Sequence, residues 1–365
     1  MDKITRRSFI KKTAVAATGI SVFPMIFIPK AKAQWAPKTI IHPNVDNLRV
    51  VSITDAKMIR PGTTAYEAEK FIVQNAVWEN MDKLACSLAQ TSDTQQAWRT
   101  IFVKPPRKSW SDTVVAIKFN GLAYHVQNTA NVILSKICHE LINTVGVKSY
   151  NIHIYDAVHG TCMKKFEGLP EGCRVEELWG GISAETHIPK PWPDTVNRGK
   201  SKCLRHLVDG TVDILINMAK CRCHAFSHLG GFSLTMKNHF GSLLPHWGHP
   251  PDNGLNYLIS INQTTEILGS MDKRTGKILY PRQQLCLIDG LWTEETDRIS
   301  SRWQLKQTNF LTMGVLAPIL DYQVATKFLR DRMEWNLPAP VTKRMLSDFG
   351  YSESDLPNGG KLIEV

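Results

Sequence analysis

Four segments of this chain are apolar almost without interruption and stop on a polar residue: "VVAIKFN" ending at Asn120, "NIHIYD" at Asp156, "DILINMAK" at Lys220 and "LCLID" at Asp289. A strand open to water on one side alternates apolar and polar residues, whereas a strand buried on both faces does not need to. These runs therefore demand a sheet covered on both sides. The expected strands are Leu48 to Thr54, Thr113 to Phe119, Tyr150 to Tyr155, Val212 to Met218 and Leu285 to Ile288, with Phe310 to Val315 a weaker sixth. Between the second and third, Val132, Ile133, Ile137, Leu141 and Val145 recur at helical spacing, with Thr129 placed to cap the start and Gly146 to stop the end. Pro318 suits a helix first turn, and Leu320, Val324, Phe328 and Leu329 continue a buried stripe behind it. This order predicts an α/β fold, a mostly parallel sheet flanked by helices in Rossmann-like layers. From Val158 to Arg205 the pattern breaks into glycines, prolines and charges, which reads as a loop-rich insertion or lid over the sheet. No linker divides the rest, so residues 34–365 are expected to form a single domain.

In open parallel sheets ligands bind beyond the carboxyl ends of the strands. Asn120, Asp156, Asn217, Lys220 and Asp289 all stand at such ends and are expected to face one crevice. Asp and Asn also begin ordinary turns, so their coincidence carries more than any single member.

The first residues belong to a different signal. Thr5-Arg6-Arg7-Ser8-Phe9-Ile10-Lys11 resembles the twin-arginine export consensus, an apolar run from Thr13 to Ile28 follows, and Ala31-Lys32-Ala33 has a small-x-small cleavage pattern. The run is short for a membrane span and contains Pro24. The expectation is a signal peptide of residues 1–33, export through the twin-arginine translocase to the periplasm or an equivalent compartment, and no stable transmembrane segment after cleavage. Cleavage removes seven basic residues and one acidic residue, lowering the formal net charge from +11 to +5. No arginine-rich run with interleaved aromatics remains, which argues against nucleic acid as a partner. The eight cysteines are scattered rather than arranged as a stapled scaffold. Cys138 and Cys286 sit in apolar segments as packing residues, while Cys162, Cys173 and Cys203 leave pairing open.

The richest stretch for chemistry is "NMAKCRCHAFSHLGGFSLTMKNHFGSLLPHWGH", Asn217 to His249. Cys221, Cys223, His224 and His228 follow a strand end, and thiolate with imidazole suits zinc, copper or nickel; the ordinary alternative is a free or paired cysteine and a histidine bonded to backbone. Phe232, Met236, Phe240 and Leu243 predict a helix from Phe232, with Lys237 on a second face and His239 turned well away from it. Next to the Gly230-Gly231 turn, Lys237 sits near a helix start where N–H groups can receive an anion. It is expected to hold a carboxylate or phosphate, or to act as nucleophile or base if burial and neighbouring cations lower its pKa; a solvated surface lysine is the plain alternative. His239 reads as a hydrogen-bonded histidine at the core edge.

"VVAIKFNGL", "NIHIYDAV", "DILINMAKCRCH", "GGFSLTMKNHFGSL" and "QLCLIDGLW" together resemble, in order, the landmarks of the domain of unknown function 362 family, over about Thr113 to Arg330. Lys237-Asn238-His239-Phe240-Gly241 is the most specific part. The resemblance implies the α/β fold and a site, and no particular reaction. Where the family carries Asp-Pro-Val-Ala-x-Asp, this chain has Ala317-Pro318-Ile319-Leu320-Asp321, so one carboxylate of a possible metal clamp is missing. Its ferredoxin-like cluster run is absent, as is a c-type haem motif. "HLGGFSLTMK" also resembles, over a dozen residues and with different glycine spacing, the His, Gly-Gly and Lys segment of nickel-pincer lactate racemases.

The resulting expectation is an exported enzyme, of isomerase or oxidoreductase type, that binds a small-molecule anion with an unknown cofactor or a transition metal. Lys237, Asn238, His224, His228 and Asp289 are its candidate catalytic groups. Lys220, Gly230, Gly231, Asn120 and Asp156 are candidates for cofactor binding, and Cys221, Cys223, His224 and His228 for metal. The alternative is a non-catalytic protein that carries a metal or cofactor. Hydrolase, nucleotide-loop and metalloprotease motifs are absent.

Overall fold

The computed structural model describes residues 42–61, 68–121, 128–156, 166–176, 182–189, 200–224, 229–244, 254–271, 278–294 and 305–365. The expected signal segment, His228 and parts of the expected insertion fall outside them. Strands are numbered in chain order. The principal sheet has eight, β1 (Val51–Thr54), β2 (Val115–Phe119), β3 (Ile152–Tyr155), β4 (Arg174–Glu176), β7 (Ile214–Lys220), β13 (Gln283–Glu294), β14 (Leu305–Gly314) and β15 (Ile363–Glu364). Their spatial order is β15-β1-β14-β13-β7-β2-β3-β4. Pairings of β14 with β1 and β13 are antiparallel, and the other five are parallel. Every expected strand is present, so the fold is α/β with a mostly parallel sheet.

Three small sheets complete the description. β5 (Ile182–Pro189), β6 (Lys200–Leu204) and β10 (Leu243–Leu244) form one in the order β10-β6-β5; β8 (Arg222–Cys223) pairs with β9 (Phe232–Ser233), and β11 (Gly269–Met271) with β12 (Ile278–Pro281). The expected insertion thus contributes β4 to the edge of the main sheet and two strands to a separate one.

The core is split in two by the main sheet, and alternation along the strands assigns each side chain to a side. Ile214, Ile216 and Met218 of β7, with Val115, Ile117 and Phe119 of β2, join one cluster. Leu215 and Ala219, with Ala116, join the other. Helices α1 (Gln74–Ala89), α2 (Thr94–Ile101) and α3 (Asn131–Glu140) cover the first side. Helix α1 buries Val77, Met81, Leu84, Ala85 and Leu88, a stripe at helical spacing, and α2 is capped by Asp93, whose carboxylate accepts from the Gln96 N–H at 2.8 Å. Helix α3 runs into a π-helical turn, Leu141–Val145, which ends at Gly146 with φ 96°. A side chain there would be strained, and the expected stop is where glycine permits it. The second side is covered by α4 (Thr235–Asn238) and α5 (Ala317–Gln323), the latter with Pro318 in its first turn.

Two local expectations are corrected. Thr129 does not cap α3: its hydroxyl donates to Met218 O at 2.9 Å and accepts from Asn120 N–H at 3.1 Å, tying β2 to β7. The N–H groups at the helix start go instead to carboxylates, Ala130 N to Asp289 Oδ2 at 2.9 Å and Asn131 N to Glu69 Oε1 at 3.2 Å. The continuous helix from Phe232 is absent as well. Phe232–Ser233 is strand, Thr235–Asn238 a single helical turn, His239–Ser242 a 3-10 turn and Leu243–Leu244 strand again. Phe232, Met236, Phe240 and Leu243 are all buried, so the apolar spacing was real but is met by a folded-back path.

Candidate functional site

The carboxyl ends of β3, β2 and β7 are neighbours, and Lys220 at the end of β7 pairs with Asp289, which lies within β13 because that strand runs on to Glu294 instead of stopping at Ile288; the polar residues divide between the two sides of the sheet. On the α3 side, Lys220 Nζ lies 2.9 Å from Asp289 Oδ1, with side chains 3 % and 0 % exposed. Asp289 also accepts from the N–H groups of Ala130 and Leu291. Lys220 lines a small pocket with Glu69, Asn128 and Trp292. An ion pair this dry survives because every oxygen of the carboxylate has donors and the ammonium has its counter-charge.

The α4 side holds a larger network. Lys118, inside an apolar strand and 1 % exposed, donates to Asn238 Oδ1 at 3.0 Å and to Phe119 O at 2.5 Å, and lies 3.1 Å from Asp156 Oδ1. Asp156 accepts from the Gly121 N–H through its other oxygen. Asn238 Nδ2 donates to Asn217 Oδ1 at 2.9 Å, and Asn217 Nδ2 in turn donates to Thr235 O at 2.9 Å. His239 Nε2 is 2.6 Å from Gln283 Oε1 and 2.9 Å from Asn217 Nδ2, and Nδ1 faces the Ser242 hydroxyl at 3.3 Å. The network fixes the Lys237-Asn238-His239 turn onto the strand ends. Asn238 and Asp156 are thus structural partners of Lys118, and His239 is the core histidine expected of it.

Gly241 is what lets this turn approach. A Cβ at that position would stand 2.7 Å from Lys118 Cε and 2.9 Å from Nζ, and would press on Asp156 Oδ1. Gly241→Ala should therefore prise the ion pair open and cost about 1–3 kcal/mol, as overpacking of a filled interior does. Urea unfolding measures it, and an unchanged midpoint would refute the close approach.

His239 also sets a pH dependence. Burial pushes it down from 6.5 to about 3, with its bond to Gln283 only partly opposing. The unfolded chain takes up the proton near 6.5 while the folded one waits until about 3, so the unfolded state binds more protons between these values. Stability from this group is therefore lost as pH falls through that window. His239→Gln should be less stable than the parent at pH 7 and close the gap towards pH 4. A gap of constant size would show that protonation of His239 does not contribute.

Both helix starts near the strand ends are already occupied by the protein's own acids. Asp321 accepts from Thr235 N–H at 2.9 Å and from Met236 N–H at 2.7 Å, besides the Thr235 hydroxyl. Burial lifts its carboxyl from 3.8 to about 7, against these bonds. This overturns the expectation that the helix start beside Gly230-Gly231 receives a ligand's anion. The remaining acid of the Ala317–Asp321 stretch caps α4 from within.

Lys237 itself projects elsewhere. It is 8 % exposed, and its Nζ has no hydrogen-bond partner among the described residues. Its proton is held well below the ordinary lysine range by burial first and by the Arg222 charge second, with Cys223 pulling weakly the other way. Arg222, also 8 % exposed, has Nε and Nη1 unpartnered among the described residues. Asn120 adds a buried Oδ1 in the same condition at the end of β2. Arg222 and Lys118 are the residues that sequence reasoning missed. A lysine within "VVAIKF" was a visible signal; an arginine between two cysteines was masked by the attention given to the sulfurs.

Gly230 and Gly231 make the turn before β9 with φ of 103° and 72°, a conformation open to glycine, and Gly231 O accepts from His224 N–H at 2.8 Å. They shape the β8–β9 hairpin that carries Arg222 and Cys223. Of the four candidate metal ligands His228 lies outside the described residues, so the four-ligand reading is not tested. Cys221 and Cys223 lie at 0 % and 1 % exposure in the apolar cluster, Thr293 donates to the Cys221 sulfur at 3.8 Å, and no group of three potential ligands converges among the described residues. Cys173 and Cys203 are both free, so they are not paired with one another, and Cys203 donates to Ser242 O.

Searches against family models, curated proteins and solved structures return no match to this chain. The site therefore rests on its own geometry. No helix among the described residues is long and apolar enough to cross a membrane.

Proposed function

We propose that this chain is an exported enzyme, on a scaffold that resembles the domain of unknown function 362 family, acting on a small molecule with a carboxylate or phosphate group. One observation carries the reading: Lys237 and Arg222, both nearly buried and close enough for the arginine to depress the lysine, have donors that nothing in the described residues satisfies. Buried donors of this kind are rare because each costs on the order of 1–3 kcal/mol. An entering anion would satisfy both, Arg222 through its fork and Lys237 as a point charge.

The depressed lysine adds a chemical option. An amine that holds its proton loosely serves as base or nucleophile, and an arriving anion draws the proton back onto it. His224, partly open to solvent beside Cys223, is the group that would exchange protons with water in this reading. Lys118, Asn217 and Asn238 hold the turn in place and do not touch the substrate.

Calorimetry on the full chain, at fixed ionic strength, tests it with small carboxylates, inorganic phosphate and neutral amide analogues. Anions should bind with uptake of a fraction of a proton, seen as a heat that depends on the buffer, and the amides should not. Equal binding of the neutral analogues would overturn the anion site. Export is tested separately: Arg6→Lys with Arg7→Lys should leave the precursor in the cytoplasm, and processing at the parental rate would remove the twin-arginine assignment.

A further inference from the structure

The turn that carries Lys237 is too short to stand alone. Helix α4 has four residues, and Asn238 N–H returns to Leu234 O at 3.0 Å. Forming a first turn orders several residues for each bond gained, so isolated helices below about 12 residues are marginal in water. Side chains from three other segments hold the peptide groups of this one. Asp321 of α5 accepts from Thr235 N–H at 2.9 Å through Oδ1 and from Met236 N–H at 2.7 Å through Oδ2, and the Thr235 hydroxyl donates to it as well. Asn217 Nδ2 of β7 donates to Thr235 O at 2.9 Å, and Asn262 Nδ2, beyond the helix Gly254–Ile261, donates to Met236 O at 3.1 Å. Asp321 is the charged member of this set. It is 1 % exposed, and every residue of α5 is buried, so the carboxylate is presented from a rigid element. A carboxylate accepts through both oxygens, and this one ties down two consecutive peptides, those of the residues directly before Lys237.

We propose that Asp321 is a positioning residue of the anion site, fixing the Lys237 amine in its dry position by clamping the Thr235 and Met236 peptides, without touching the ligand. The inference rests on Lys237 as the anion-binding group, while the clamp itself can be read without any ligand. With both peptides tied to α5, the direction in which the chain leaves Met236 is set, and with it the base of the Lys237 side chain. Without the carboxylate, two N–H groups and a hydroxyl lose their acceptor inside the protein, and the turn recovers partners by opening to water. The amine then gains water, keeps its proton more firmly and no longer has one place. A buried carboxylate is an expensive cap, lifted to about 7 by its burial, and a fully satisfied one makes the local arrangement unique.

The experiment uses the full chain with isotope-labelled lysine, read by nuclear magnetic resonance, with the Lys237 signal assigned by its absence from Lys237→Met. Its titration midpoint is measured without ligand in the parent, Asp321→Asn and Asp321→Ala. Asp321→Ala should raise the midpoint towards the ordinary lysine value by about one pH unit or more, because hydration favours the charged amine. The same variant should bind acetate and phosphate about 10-fold more weakly. Asp321→Asn keeps one acceptor and should fall between the two. Asp213→Ala is the control: Asp213 accepts from Lys108 Nζ at 2.7 Å and from Val114 N–H at 2.9 Å at the opposite, amino end of β7, so its loss should lower stability and leave the Lys237 midpoint in place. A midpoint unmoved by Asp321→Ala would overturn the proposal, and so would one that moves equally in Asp213→Ala. Should Asp321→Ala fail to fold, Asn262→Ala frees the Met236 carbonyl and must shift the midpoint in the same direction; no shift there would overturn the clamp. A midpoint that moves as expected in a chain that binds neither acetate nor phosphate would uphold the clamp and end the anion reading instead.

Discussion

Lys237→Met is expected to cost the protein its ligand and to raise its stability at the same time. Methionine keeps most of the side-chain volume while removing an amine that is buried without a hydrogen bond and sits beside the Arg222 charge. Relief of that desolvated donor should add about 1–2 kcal/mol to unfolding, read from urea titration. The same change deletes a charge-assisted bond to the anion, for which about 10- to 100-fold loss in affinity is the ordinary scale. The two signs belong together, since a protein keeps a strained polar group where function needs it and gains stability when it is lost. A variant that is less stable than the parent would mean that Lys237 has a structural partner; unchanged anion affinity would mean that the site lies elsewhere.

Asp289→Ala should act in the opposite sense and more strongly on the fold. It strands Lys220 at 3 % exposure without a counter-charge and leaves the N–H groups of Ala130 and Leu291 without their acceptor. Breaking a buried pair from one side typically costs about 3–5 kcal/mol. Lys220→Met combined with Asp289→Leu should recover part of that loss, because the uncompensated charge is gone. Thermal unfolding of the two proteins side by side gives the comparison. If the single variant melts with the parent, the pair contributes nothing to the fold, and if the double variant melts below the single one, the loss has another origin. The sequence places Asp289 among the catalytic candidates and Lys220 among the cofactor-binding ones; their mutual 2.9 Å contact gives each a partner within the fold.

The sheet was legible because burial on two sides leaves a plain trace, an apolar run, and β2, β3 and β7 also carry its polar stop, while β13 runs past Asp289 to Glu294. The helix stop at Gly146 was legible because only a residue free of a Cβ sits easily at φ 96°. The turn from Phe232 to Leu243 was not, since apolar residues every three or four positions are compatible with a helix and equally with strand, turn and strand packed under one cluster. Partners across the fold were illegible for a different reason. Lys220 meets Asp289 across 69 positions and Lys118 meets Asn238 across 120, and nothing local to either residue encodes strand register at that range. Sulfur and imidazole draw attention to the Asn217–His249 stretch, whose unpartnered buried donors among the described residues belong to Lys237, read from the sequence, and to Arg222, which was not.

The division of β7 between two sides of the sheet bears on how this chain tolerates insertions and deletions. Asn217 reaches the α4 network and Lys220 the α3 ion pair only because an odd number of positions separates them. Losing one residue from Asn217–Lys220 would carry the ammonium through the sheet to the opposite layer, away from Asp289, while its neighbours also changed sides. Length in this segment is therefore under tighter constraint than the identity of its apolar side chains.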